Sequence, residues 1–245
     1  ARSKADYDKG HIPGAVWVDV KQAEAIAAAS GGLEDANRWA DWIAGLGIDP
    51  KAEVVVYDSK RQLDAARIWW LLTYLGVDRV ALVDGGFPLW ERSGQPVSSE
   101  PSRVASSRFL ITLHKERLAT REDVAEVLKS HSARIVDARS EAEHVGEQVL
   151  SKRGGRLPGA CPVEWSRLVD EEGRFLPPDA LQAKLKTGGV EPGMPVVAHC
   201  QGGGRASVDA FVLERLGYST RNYYLGWSDW GNTDDVPIET GPSRK

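Results

Sequence analysis

Short apolar runs alternate with amphipathic stretches along this chain, and this order predicts strands and helices in turn. Residues 54–57 and 195–199 are short apolar runs, typical of strands that are buried on both faces. Residues 65–75 and 206–216 follow them with helical apolar spacing, and a glycine closes each stretch. Such alternation indicates α/β architecture, in which a parallel sheet is flanked by helices. Further strands are predicted at 80–83, 134–137 and 222–225, and a helix at 120–130.

The same series of elements occurs twice, because the chain contains an internal repeat. The segment Gly10-His-Ile-Pro-Gly-Ala15 returns as Gly155-Arg-Leu-Pro-Gly-Ala160, 145 residues later. Val55-Val-Tyr-Asp58 corresponds to Val197-Ala-His-Cys200 at an offset of 142. Four landmarks in one order, at nearly constant spacing, indicate two copies of one domain. The other two landmark pairs are 75–76 with 216–217 and 86–90 with 226–230.

A segment rich in serine separates the two copies and predicts a linker. The serines cluster between Pro96 and Leu118. We therefore predict a first domain at 1–103, a linker at 104–118 and a second domain at 119–245. The strand at 134–137 has no counterpart in the first copy, where only Ala1-Arg2 are present to match Ala138-Arg139. The first domain is expected to lack its first strand, and the natural N-terminus is expected to lie outside this sequence.

Composition and charge narrow the classes of function. A chain of 245 residues suits two domains of ordinary size, and its net charge of −4 argues against a nucleic-acid partner. The longest apolar stretch, 68–77, is interrupted by Thr73, Tyr74 and Gly76, so no membrane span is expected. Two cysteines and five scattered histidines favour neither a disulfide framework nor a metal site, and no cofactor is expected. The compartment stays open, with the cytoplasm favoured.

The loop between the strand at 195–199 and the helix at 206–216 is predicted to carry the chemistry. Its three consecutive glycines allow the backbone to turn successive N–H groups toward the loop centre, and the following helix adds its positive end. Cys200, at the first loop position, is therefore expected to react as a thiolate nucleophile. A cysteine that only fills the core would give three glycines no packing role. The predicted loop residues are Gln201, Gly202, Gly203, Gly204 and Arg205.

These segments together resemble the rhodanese family of sulfurtransferases in its tandem two-domain form. The resemblance extends over essentially the whole chain and rests on 10–15, 136–139, the Cys200 loop and 226–230. It implies ping-pong transfer: the thiolate takes a sulfane sulfur from a small anionic donor, thiosulfate or 3-mercaptopyruvate, and passes it from a persulfide to cyanide or a thiol. Asp58 stands at the cysteine position of the first copy, so that domain is expected to be catalytically silent.

The resemblance also implies that Arg139 pairs with the anionic donor, since a guanidinium can make two charge-assisted bonds to a sulfonate or carboxylate. The alternative is a surface ion pair with Glu141 or Glu143, the second of which stands where mammalian-type members have a further arginine. Arg205 is expected either to bind substrate or to hold loop carbonyls and a neighbouring carboxylate. Three remaining candidates are interpreted as structural. His11 is expected to form hydrogen bonds in a turn, and Cys161 to pack as a small apolar residue. His199 is expected to be a strand residue that points away from the cysteine.

Two alternative functions stay open at this point. Cysteine-based phosphatases and arsenate reductases also use a glycine-bearing loop that ends in arginine, but phosphatases place five residues between cysteine and arginine. Here four residues separate Cys200 from Arg205, and the shorter ring suits a single sulfur atom better than a phosphate. The second alternative is a non-catalytic binding module of the same fold, because Asp58 shows that one copy lacks a nucleophile.

Overall fold

The computed structural model describes residues 1–105 and 107–242, and the chain divides into two compact units. The first unit holds Ala1–His114 with Glu171–Arg174, and the second holds Lys115–Asp170 with Phe175–Lys245. The predicted bounds of the domains and of the linker at 104–118 stay predictions. Ser106 of that linker and residues 243–245 lie outside the described residues.

The first unit contains a small parallel sheet. Strand β1 (Val54–Val56) pairs with β2 (Val80–Leu82), with Val54 opposite Val80. The helix that connects them, Leu63–Tyr74, is buried over most of its surface, and the ring of Trp70 stacks on that of Tyr74. The helices of this unit are α1 (Lys4–Lys9), α2 (Val20–Ala28), α3 (Ala36–Gly45), α4 (Leu63–Tyr74) and α5 (Gly86–Arg92).

The second unit contains a parallel sheet of four strands in the order β4-β3-β5-β6. The central pair, β3 and β5, is in register with Asp137 opposite His199. The last strand begins two residues earlier than the pattern predicts, because Thr220 already pairs with Val196. The strands are β3 (Arg134–Asp137), β4 (Cys161–Pro162), β5 (Val196–His199) and β6 (Thr220–Tyr223).

Helices cover both faces of this second sheet. The helix predicted at 120 begins with a capping box, in which Thr120 and Asp123 each accept the backbone N–H of the other. None of the helices in the described ranges has the length and apolar content that a membrane span requires. The helices are α6 (Arg121–Ser130), α7 (Glu141–Val145), α8 (Pro178–Thr187), α9 (Gly204–Arg215) and α10 (Gly226–Trp230).

The two faces of the second sheet bury separate hydrophobic cores. Alternate residues of a strand point to opposite faces, so adjacent apolar residues enter different cores. Val197 packs with Ile135 and Tyr223 on the α6 face, whereas Val196 packs with Val136 on the α9 face. This two-sided burial explains why the strands read as continuous apolar runs and confirms the predicted α/β fold.

The first unit has no strand, among its described residues, that corresponds to β3 of the second unit. In the second unit, the N–H of Ala138 follows β3 and donates to the carbonyl of His199 over 2.9 Å. In the first unit, the amine of Ala1 donates over 2.8 Å to Tyr57, the repeat counterpart of His199. The Ala1 amine thus contacts the same repeat position in the first unit that the Ala138 N–H contacts in the second.

Candidate active site

Cys200 follows directly after β5 and is almost completely buried, with 1% of its surface exposed. Its backbone is held from α10, because the Cys200 carbonyl accepts the N–H of Trp227 over 2.7 Å. The next carbonyl, that of Gln201, accepts the N–H of Ser228 over 2.9 Å, and the Gln201 side-chain amide donates to the Ser151 hydroxyl over 3.1 Å. These bonds fix the start of the loop independently of the helix that follows it.

The three glycines of the loop have different structural roles. Gly203 has φ +80°, and a β-carbon on it would meet the Tyr224 ring at 2.5 Å. Gly204 begins α9, and its N–H donates to the carbonyl of Gly202 over 3.1 Å. A β-carbon on Gly202 would find open space within 4 Å. The sequence does not distinguish the three glycines. In the structure, the position that most strictly requires glycine is Gly203.

In the first unit the equivalent loop holds an anionic side chain. Asp58 accepts backbone N–H groups through both carboxylate oxygens, from Lys60 and Gln62 on one oxygen and from Asp64 and Ala65 on the other, at 2.9–3.1 Å. Burial raises the pKa of this carboxyl group, and the backbone hydrogen bonds oppose that shift. This loop is thus a nest of N–H groups that the chain fills with its own carboxylate.

Arg205 leaves the loop and pairs with Glu143 of α7. The two side chains form a bidentate ion pair, with N···O distances of 2.5 and 2.8 Å. Ser140, the N-cap of α7, donates its hydroxyl to the same carboxylate over 2.9 Å. Burial raises the pKa of Glu143, but Arg205 and Ser140 outweigh it and lower that pKa. Of the two roles considered for Arg205, the structure shows it holding a neighbouring carboxylate.

Arg139 is buried, with 2% of its surface exposed. Its Nε and Nη2 atoms donate to the two carboxylate oxygens of Asp137 over 2.9 and 2.7 Å, and Nη2 also donates to the carbonyl of Gly155 over 2.7 Å. The guanidinium lies over the Trp227 ring, 4.6 Å from its centre. The Arg139 guanidinium is therefore already bound by a carboxylate and a carbonyl and packed against an aromatic ring.

The alternative of a surface ion pair between Arg139 and Glu141 or Glu143 is wrong. Arg139 lies in the interior of the unit, and Glu143 pairs with Arg205. That Arg139 binds the donor stays a prediction. In that role, the Arg139 guanidinium would have to bind the donor while it also donates hydrogen bonds to Asp137.

Two histidines lie beside the carboxylate of Asp137. His144 Nδ1 is 2.9 Å and His199 Nε2 is 3.8 Å from the same oxygen. Despite burial, interactions with His199, His144 and Arg139 lower the pKa of Asp137 below its ordinary value. Burial lowers the pKa of His199 to about 4, so this ring is neutral at neutral pH. His199 faces Asp137 across the sheet, as a strand residue.

Asp209 is a buried acid that the sequence analysis missed. Its side chain is fully buried in α9, and neither carboxyl oxygen has a hydrogen-bond partner in the described part of the chain. Burial raises the pKa of Asp209 well above its ordinary value, the charges of Cys200 and Asp137 add to that shift, and Arg205 opposes it. An aspartate within the apolar stripe of a predicted helix was the available signal.

The other two residues interpreted as structural are also in place. His11 is buried, stacks on Tyr7 with the ring centres 4.0 Å apart, and forms hydrogen bonds to the carbonyls of Tyr7 and Glu100. Cys161 is partly buried, and burial raises the pKa of its thiol. Among residues 1–105 and 107–242, no group of three or more histidine, cysteine, aspartate or glutamate side chains could hold a metal ion.

Comparison with known sequences identifies the family. The sequence model of the rhodanese-like domain matches residues 1–93 and, a second time, residues 120–233. This chain belongs to the rhodanese-like family. The two matches confirm the predicted family and the presence of two copies of its domain. Cys200, directly after β5, lies in the second matched range, and Asp58, which aligns with it in the repeat, lies in the first.

Curated relatives of this rhodanese-like chain are named sulfurtransferases. It is 34% identical over 239 residues to the thiosulfate sulfurtransferase of Azotobacter vinelandii, a match that covers 97% of this chain and 88% of that protein. It is 30% identical over 239 residues to the 3-mercaptopyruvate sulfurtransferase of Escherichia coli K12, with 96% and 85% covered.

A solved structure shows the same fold. The anaerobic ergothioneine biosynthesis enzyme from Chlorobium limicola, in complex with trimethyl histidine, superposes on this chain with a TM-score of 0.85 at 22% identity. The match covers 98% of this chain, which spans 63% of that protein's length. At this level of identity the likeness establishes the fold alone.

Proposed function

We propose that this rhodanese-like protein moves a sulfane sulfur from thiosulfate or 3-mercaptopyruvate to cyanide or a thiol acceptor through a persulfide on Cys200. The observation that carries the proposal is the repeat itself. The position of Cys200 corresponds to that of Asp58, whose carboxylate accepts four backbone N–H groups. The sulfurtransferase names of the relatives support the same class of reaction.

The comparison between the two loops indicates which backbone N–H groups would hold the negatively charged sulfur of Cys200. Counted from the start of each helix, the N–H groups of Asp64 and Ala65 in α4 correspond to those of Arg205 and Ala206 in α9. The N–H groups in the first turn of a helix have no acceptor within the helix. In the first copy these groups hold a carboxylate. In the second copy they are available to hold a thiolate or a persulfide.

The reaction has two half-reactions with balanced bonds. The Cys200 thiolate attacks the outer sulfur of thiosulfate, a new S–S bond forms, and the donor's S–S bond breaks so that sulfite leaves with the electron pair. With 3-mercaptopyruvate, the broken bond is C–S, and the carbon takes up a proton as pyruvate forms. Cyanide or a thiolate then attacks the outer sulfur of the persulfide, and the Cys200 thiolate is released as the leaving group.

The phosphatase and arsenate reductase alternatives are not favoured. The guanidinium that would have to hold a phosphate belongs to Arg205, and it is bound to Glu143 at 2.5 and 2.8 Å. The relatives named above are sulfurtransferases. A non-catalytic binding module is not favoured either, since the second copy has both the cysteine and the loop that the reaction needs.

Cyanolysis tests the proposal. The protein is incubated with thiosulfate or 3-mercaptopyruvate, freed of donor and then treated with cyanide. We expect thiocyanate, and before cyanide a mass gain of one sulfur atom, from the wild type and from the control Cys161→Ser. Cys200→Ser should give neither, because a serine hydroxyl cannot form a persulfide. Thiocyanate from Cys200→Ser at the level of the control would refute the assignment of the nucleophile.

A further inference from the structure

The Glu143–Arg205 ion pair is a fixed feature of the loop's surroundings. Glu143 is the more deeply buried partner, with 4% of its side chain exposed against 21% for Arg205. Its carboxylate is held from its own helix as well, because Ser140 donates both its hydroxyl and its backbone N–H to it, at 2.9 and 3.2 Å. A carboxylate bound on two sides does not swing away when a ligand approaches. The position of its negative charge is therefore set by α7.

This carboxylate cancels the charge of the arginine that closes the nucleophile loop. Arg205 lies in the first turn of α9 and interacts electrostatically with Cys200. The second arginine of the site, Arg139, is matched in the same way by Asp137 at 2.7 Å. Each of these two guanidinium charges thus has a carboxylate partner. The attraction for an incoming anion then comes from the positive end of α9 and the N–H groups of its first turn.

We propose that Glu143 is a specificity-determining residue, which turns the enzyme away from dianionic sulfur donors and toward donors that carry a single negative charge. The proposal rests on the proposed sulfur-transfer function. Thiosulfate is a dianion at neutral pH and 3-mercaptopyruvate is a monoanion. The energy of a charge near a fixed site scales with that charge. Removing the negative charge of Glu143 therefore lowers the electrostatic energy of bound thiosulfate by about twice as much as that of bound 3-mercaptopyruvate.

The test compares donors within one protein preparation. For Glu143→Gln, kcat/KM is measured for thiosulfate and for 3-mercaptopyruvate with one acceptor, and the ratio of the two values is the readout. A misfolded fraction lowers both values equally and cancels in that ratio. We expect the ratio to rise about tenfold in favour of thiosulfate, and to fall back toward the wild-type ratio as salt is added. Glutamine keeps the size and an acceptor oxygen for Arg205.

Three further variants make the result specific. Glu141→Gln removes one negative charge from the exposed surface of the same helix and should leave the ratio unchanged. Arg205→Gln should shift the ratio the opposite way, toward 3-mercaptopyruvate. The double variant Glu143→Gln with Arg205→Gln restores local neutrality, so its ratio should return toward that of the wild type.

Two outcomes would overturn the proposal, and a third would overturn the sulfur-transfer function on which it rests. Equal changes for both donors in Glu143→Gln would mean that Glu143 only shapes the loop. A change of the same size in Glu141→Gln would mean that net charge, and not this ion pair, controls the donor. No transfer from either donor to the wild-type protein would refute the proposed function itself, and the specificity role with it.

Discussion

Gly203 lies directly against Tyr224: a β-carbon on this glycine would come within 2.5 Å of the aromatic ring. The glycine also has φ +80°, a conformation that side chains with a β-carbon seldom adopt. Two independent effects, steric overlap and backbone strain, therefore exclude other residues at this point. Neither effect applies to Gly202, one residue earlier, where a β-carbon has open space.

We predict that Gly203→Ala destabilises the second unit by about 1–3 kcal/mol and disrupts the loop that holds Cys200. Gly202→Ala is the matched control, because it makes the same chemical change in the same loop, and its effect on stability should stay below about 1 kcal/mol. Urea unfolding monitored by tryptophan fluorescence gives both values. Equal destabilisation by the two substitutions would show that the contact with Tyr224 does not restrict the loop.

A second prediction concerns the carboxylate in the first copy. Asp58→Asn replaces one acceptor oxygen with an NH₂ group that faces N–H donors, so it should destabilise the first unit by about 1–3 kcal/mol. Turnover per folded molecule should change little, because Asp58 stands where the second copy has Cys200 and a carboxylate cannot carry a persulfide. Unfolding curves and cyanolysis, measured on the same sample, separate the two effects. A loss of turnover comparable to that of Cys200→Ser would contradict this prediction.

A third prediction distinguishes two roles for Arg139. Arg139→Lys keeps the charge but loses the fork that contacts Asp137 and Gly155, so the buried pair predicts a loss of stability of about 1–3 kcal/mol. Direct donor binding predicts instead a higher KM for the donor, by a similar free energy, with little change for the acceptor. Thermal unfolding and KM values for both substrates decide between them. An unchanged stability together with an unchanged donor KM would exclude both roles.

A fourth prediction follows from the raised pKa of Asp209. Above pH 3.8, the ordinary pKa of this group, the unfolded chain ionises Asp209 while the folded state keeps the proton. The folded state therefore loses stability relative to the unfolded state as pH rises, until the pKa of the folded state is reached. Compared with Asp209→Asn, the wild type should lose stability from about pH 4 upward.

Free energies of unfolding at pH 3, 5 and 7 test this behaviour. The difference between Asp209→Asn and the wild type should be small at pH 3 and should favour the variant increasingly at pH 5 and 7. Asp179→Asn, on the exposed surface of α8, makes the same chemical change away from the core. A difference that shrinks as pH rises would mean that Asp209 is ionised and stabilised in the folded protein.

The fold and the correspondence between Asp58 and Cys200 could be predicted from the sequence because both depend on local patterns. The 54–57 and 195–199 runs predicted strands that β1 and β5 match to within one residue at each end. The repeat offset alone aligned Asp58 with Cys200. Apolar spacing, glycine positions and repeats are properties of short stretches of chain, and they do not depend on how distant elements pack.

The partners of the charged residues were decided only by the tertiary structure. Arg139 pairs with Asp137, two residues away, because both side chains point into the interior where Gly155 and Trp227 complete the site. Arg205 pairs with Glu143, 62 residues distant along the chain, because α7 and α9 bring their first turns together. Such pairings depend on strand register and helix packing. Sequence spacing does not encode them, since any of several carboxylates could have satisfied the same arginine.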